Sequence, residues 1–115
     1  MKELWQRFQD NSLSKNDFIN YIVDLFLDKD YKNLKDILII INSSKSGLHI
    51  QELINYEHEK VSFSERTATR EIRILYTLGM ITLFEKIGPV KRYIITSLGK
   101  DVLLSLKNKT KGGFN

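Results

Sequence analysis

The sequence predicts a mainly α fold that carries one small β-hairpin, an α+β domain. Three observations lead there. Apolar residues recur at helical spacing through most of the chain. Near residue 88, Gly88 and Pro89 separate two runs rich in β-branched and aromatic side chains, the pattern of a hairpin. The length, 115 residues with 42% of them hydrophobic, suits one globular domain with a single core.

Taken in order, residues 1–8 read as a short first helix with Leu4, Trp5 and Phe8 on one side, broken by Asp10, Asn11 and Ser12. Ser14, with Asp17 three residues on, is an N-cap for a helix over 15–27. Its apolar face is broad: Phe18, Ile19, Ile22, Leu25 and Phe26. A face of that width is either core or a homodimer interface, and the sequence leaves both open. Asp28, Lys29 and Asp30 mark a boundary before a third helix over 31–41, with Leu34, Ile37, Leu38 and Ile41 facing inward. Residues 43–47 form a polar loop.

The chain then reaches its most informative stretch. Ser62 with Glu65 has the form of a capping box, and Ser64 is a second N-cap for a helix over 64–78. Gly79 stands where such a helix stops, because glycine enters the left-handed cap without strain. On a helical wheel with Ala68 at zero, Ile72 and Leu75 fall within roughly 40°, while Arg66, Arg70, Arg73 and Thr77 gather near roughly 160°. Three of the five arginines therefore share the face opposite the core stripe. A charged stripe is by default a solvated helix face, and that reading stands beside any functional one. After the glycine, residues 81–86 and 91–96 read as the two strands of the hairpin, with Lys86, Lys91 and Arg92 near its tip. Thr96 or Ser97 caps a last helix through Leu106, and residues 107–115 read as a basic, flexible tail.

Charge is segregated along the chain. Up to Lys60 there are eight Lys/Arg against ten Asp/Glu, a net of −2; from Val61 on there are ten against four, a net of +6. The basic half holds the arginine face and the hairpin, which points to a polyanionic partner. Solubility is the competing explanation, but it leaves the segregation unaccounted for.

Three motifs stand in register here. Ser64, Arg66, Thr67, Ala68, Arg70, Ile72 and Leu75 come first, then Leu78, Gly79, Met80 and Ile81, then Tyr93, Ile94, Ile95, Thr96 and Gly99. This order resembles the winged helix-turn-helix superfamily of transcription regulators, whose members read "S-x-R-T-V-x-R-x-L-x-x-L", "L-G-L-I" and "Y-x-L-T-x-x-G" at similar spacings. The resemblance covers residues 31–106. It implies a winged helix-turn-helix domain there, preceded by an N-terminal helical extension over 1–30 that is a candidate dimerisation element. It also implies a short strand at residues 48–50 pairing with the hairpin, and a positioning helix from residue 50 or 51 to 56 with Leu53 and Ile54 buried. Residues 64–78 would be the recognition helix and 84–92 the wing. The link from Tyr56 to Ser62 is longer than the family's tight turn, so the angle of the recognition helix is left open.

If duplex DNA is the partner, phosphate neutralisation supplies most of the affinity and major-groove side chains read the sequence. Arg66 and Arg70 are then candidates for guanine edges, because a guanidinium pairs with O6 and N7 in a bidentate way. Ser64 and Thr67 at the helix N-terminus are candidates for phosphate, Thr67 and Thr69 for a thymine methyl or phosphate, and Arg73 for backbone. Lys86, Lys91 and Arg92 would reach the neighbouring groove or phosphates, although Arg92 has a bland alternative in a salt bridge to Glu85 across the hairpin. Tyr93 and Ile95 read as core rather than base-stacking residues.

Other classes find little support. The chain shows no phosphate-loop or nucleophile-elbow motif, so it does not read as an enzyme. His49 with Glu52, and Glu57, His58 and Glu59, give too few ligands for a metal shell, and no cofactor is expected. There are no cysteines, no apolar run long enough to span a membrane and no apolar leader at the N-terminus, all fitting a cytoplasmic protein. The expectation is a sequence-specific double-stranded DNA-binding transcription regulator, acting as a homodimer. The alternatives are a winged-helix protein–protein module and a regulator whose N-terminal helices hold a small effector, for which the residues speak neither way.

Overall fold

The computed structural model describes residues 2–10, 13–54 and 63–112, with side chains at 6–10, 13–54 and 63–109. The element order is α1 (Lys2–Gln9), α2 (Lys15–Leu27), a 3₁₀ turn (Lys29–Tyr31), α3 (Lys32–Asn42), β1 (Leu48–His49), α4 (Ile50–Ile54), α5 (Glu65–Thr77), β2 (Ile81–Ile87), β3 (Val90–Ile95) and α6 (Ser97–Gly112). The fold is mainly helical with a three-stranded antiparallel sheet of order β1-β3-β2, the α+β class expected. The expected capping box at Ser62, the link over 56–62 and the side chains of Leu4 and Trp5 lie outside the described residues.

Local chemistry accounts for the helix ends. The Ser14 hydroxyl accepts from the Asp17 amide at 3.1 Å, satisfying one of the donors a helix start leaves without a partner. Gly79 closes α5 at φ +77°: its amide donates to the Tyr76 carbonyl at 3.1 Å and the Met80 amide to the Leu75 carbonyl at 2.9 Å. That bond pair is a Schellman stop, and Met80 and Leu75 bury the apolar contact that accompanies it.

One core joins the elements. Phe18, Ile22 and Phe26 of α2 meet Leu34, Ile37, Leu38 and Ile41 of α3, Leu53 of α4, Ala68, Ile72 and Leu75 of α5, and Val102 of α6. The apolar face of α2 is thus core; the same residues offer no dimer surface, and Leu25, expected inside, is half-buried. α1 is attached by the stacking of Phe8 on Phe18, centroids 4.7 Å apart.

The C-terminus departs from the sequence reading. α6 runs to Gly112, so the flexible tail expected from residue 107 is helical as far as it is described. Lys15 pairs with Asp101 at 2.9 Å and Lys109 with Asp24, so α6 lies along α2 in the same direction and its last turns are tied to the body.

Thr96 sets the junction between hairpin and α6. Its hydroxyl donates to the Gly79 carbonyl at 2.6 Å, lies 3.0 Å from the Met80 carbonyl, and accepts from the Gly99 amide at 3.1 Å. Gly99 lets α6 approach: a Cβ there would stand 2.4 Å from the Met80 carbonyl oxygen. The same junction positions α5 and the hairpin relative to each other, since both leave it within a few residues.

Candidate nucleic-acid interface on helix α5 and the hairpin

α5 separates its residues by face. Ala68, Ile72 and Leu75 are buried, and Arg66, Thr69, Arg70 and Arg73 are exposed. Together with Ser64, Glu65 and Ile74, these four border one shallow concavity on the outer face of the helix. Ser64 caps the helix: its hydroxyl accepts from the Thr67 amide at 3.1 Å and donates to the Thr67 hydroxyl at 3.0 Å. Both hydroxyls named from sequence as phosphate contacts are therefore engaged with each other.

The arginines are not equivalent. Arg66 and Arg73 extend from the helix without an ion pair among the described residues. Arg70 instead folds onto Glu71, whose Oε1 accepts from its Nε at 3.1 Å and from its NH2 at 2.9 Å. Glu71 is the one charged side chain buried among the described residues.

The hairpin stands out from the body. Only Ile81 of β2 is buried, and the strands close through Gly88 and Pro89. Pairing passes from Leu83↔Tyr93 to Glu85↔Arg92, which leaves Phe84 as the extra residue of a bulge. Beyond the bulge, Lys86 lies directly across from Lys91, both exposed. Two like charges opposite one another weaken a strand pair, and an anion between them would reverse that cost.

Lys91 and Tyr93 turn towards α5. With Leu83 and Pro89 of the hairpin, Thr69, Ile72, Arg73 and Tyr76 of α5, and His49 and Ile50, they line a groove of about 550 Å³. Tyr76 meets Tyr93 edge-on, centroids 6.2 Å apart, at the base of that groove. Arg73 and Thr69 border both the groove and the outer concavity, so the two surfaces are continuous.

Arg92 goes the other way, against expectation. It lies one pair in from Lys91 on β3, opposite both Glu85 of β2 and His49 of β1. Its NH1 donates to Glu52 Oε1 of α4 at 2.7 Å and reaches the Gly47 carbonyl at 3.4 Å. Residues alternate sides along a strand, so the neighbour of a groove-facing Lys91 must face away. Arg92 is a tie between hairpin and body: neither the expected DNA contact nor the alternative bridge to Glu85 describes it, and its partner is Glu52 on α4.

No family model, no curated protein and no solved structure matches the chain. The described part brings together Arg66, Thr69, Arg70, Arg73 and Lys91, places Lys86 across the hairpin from Lys91, leaves Ser64 and Thr67 in the cap, and removes Arg92. It adds Tyr76, Tyr93 and His49, which sequence reasoning did not assign to the site. Tyr76 was within reach: on the wheel it falls at roughly 80° from Ala68, on the flank between core and arginine face. Among the described residues no three His, Cys, Asp or Glu side chains come together as a metal site, and no helix is long and apolar enough to cross a membrane.

Proposed function

We propose that this protein is a sequence-specific regulator of transcription that binds double-stranded DNA as a winged helix-turn-helix. α5 is its recognition helix in the major groove, and the hairpin is a wing on the adjacent groove or backbone. One observation carries the reading: Arg66, Arg70 and Arg73 stand on an exposed helix face that is continuous, through a groove, with Lys91 and its cross-strand partner Lys86. Guanidinium groups one or two turns apart on a free helix face suit base edges and phosphates, and a lysine pair on a projecting ribbon suits the flanking phosphates. The sequence motifs in register and the sheet order β1-β3-β2 with its short first strand support the same reading.

The regulator would work in the cytoplasm as a homodimer. Its interface must come from side chains the monomer leaves outside, such as Tyr21 and Leu27 on α2 and Leu104 on α6, which are 49%, 49% and 58% exposed. Selection of bound sequences from a random duplex library tests the function. Recovery of a defined site is expected, with two half-sites if two copies bind together. Recovery of no enriched sequence, at low salt as well as high, overturns the proposal.

A second reading, a protein-interaction module of the same fold, draws on the hairpin's other side. Phe84 and Ile87 are 53% and 66% exposed there, an apolar surface that phosphate contact does not use.

A further inference from the structure

We infer that Glu71 sets the base specificity of Arg70: it holds the guanidinium so that only one of its two hydrogen-bonding edges can reach a base. The inference rests on the DNA-binding reading above and names a residue that touches no DNA.

Neighbouring residues on a helix diverge by about 100° and do not ordinarily meet. Arg70 nevertheless bends along the helix surface to place Nε and NH2 on Glu71 Oε1, at 3.1 and 2.9 Å. The pair is lopsided, since the Arg70 side chain is 59% exposed and that of Glu71 only 9%. A buried carboxylate needs a partner, and among the described residues Glu71 has no other than Arg70. The arginine is therefore held by a group that loses most if it is released.

The consequence lies in which donors are left. A guanidinium has five N–H groups in a rigid plane. Glu71 takes the Nε–H and one proton of NH2, the side edge. The end edge, formed by NH1 and the second proton of NH2, stays free and points away from the buried carboxylate. That edge still makes two parallel bonds to O6 and N7 of guanine. A free arginine can swing between guanine, phosphate and solvent, whereas one fixed in plane and direction favours the one base that matches it. Arg66 and Arg73 have no such neighbour and are suited to phosphate or looser contacts.

The test takes the site recovered by selection and measures affinity for every single-base variant of it. The proteins are wild type, Arg70→Ala, Glu71→Ala, Glu71→Gln and the double variant Arg70→Ala/Glu71→Ala. The inference expects one position at which Arg70→Ala abolishes a guanine preference and Glu71→Ala lowers that preference about tenfold, the size of one good bidentate contact. Glu71→Gln, which keeps an acceptor oxygen, should retain part of it. In the double variant the loss should be no greater than in Arg70→Ala alone, because the two residues act as a unit. A preference unchanged in both Glu71 variants overturns the inference, and so does an affinity loss spread evenly over all bases, which marks Glu71 as merely structural. Thermal melting of each variant separates unfolding from lost readout, and Glu71→Gln preserves volume should Glu71→Ala fail to fold. If wild type binds no duplex, the DNA-binding reading itself falls, a result distinct from any pattern among the variants.

Discussion

The two ends of the molecule use the same kinds of residue in opposite ways. In the α2–α3–α6 body, Phe18, Ile22, Phe26, Ile37 and Leu38 are at most 1% exposed, and charged side chains pair across elements, Lys15 with Asp101 and Lys109 with Asp24. In the hairpin and outer face of α5, Ile87 is 66% exposed and the cations Arg66, Arg73, Lys86 and Lys91 have no ion-pair partner among the described residues. Folding explains the first arrangement. It does not explain the second, since neither an unpaired cation nor a protruding apolar side chain contributes much to stability. Tyr21, Leu27 and Leu104 protrude from the body as well; what sets the second region apart is that its unpaired cations gather on one surface, and substitutions at the two ends should report differently.

The largest effect is expected in the body. Phe26→Ala should lower unfolding free energy by about 3–5 kcal/mol, the ordinary cost of emptying a core phenylalanine site; chemical denaturation checks it. At the junction, Gly99→Ala should cost about 1–3 kcal/mol by forcing α6 off the Met80 carbonyl. A variant as stable as wild type there would mean α6 does not approach as closely as described. Smaller and more telling is the adjacent pair on β3. Lys91→Ala should weaken duplex binding several-fold and reduce the steepness of its salt dependence by about one, with stability unchanged. Arg92→Ala should leave binding alone and cost stability by no more than about 1 kcal/mol, because its link to Glu52 is half exposed. Equal effects of the two on DNA would dissolve the distinction between the hairpin's faces. A change of comparable size, about 1 kcal/mol in a melting experiment, is expected for Ser64→Ala, which removes the α5 cap.

What could be read from the sequence was what neighbouring residues decide. The Ser14 and Ser64 caps, the stop at Gly79, the inward stripes of α3 and α5 and the turn at Gly88 and Pro89 all follow from spacing within one or two turns. The outward direction of Arg66 and Arg73 follows from the same periodicity. What escaped depends on partners far along the chain. Lys109 finds Asp24 and extends α6 past Leu106, and Arg92 finds Glu52 and leaves the site. Glu71 falls at roughly 60° from Ala68 on the wheel, at the edge of the core stripe, where its burial depends on packing that spacing does not reveal. The bulge at Phe84, which decides the side each hairpin residue faces, has no local signature either.

Whether the free arginines of α5 meet duplex DNA can be decided by a single titration. Affinity for a duplex carrying the selected site is measured over a salt series for wild type and for Arg66→Ala/Arg73→Ala. That pair is chosen because removing Arg70 would leave Glu71 buried without a partner and confuse binding with stability. The account predicts at least about tenfold weaker binding and a salt dependence shallower by about one to two, as two cationic contacts are lost. Superimposable titrations of wild type and variant, at every salt concentration, would contradict it.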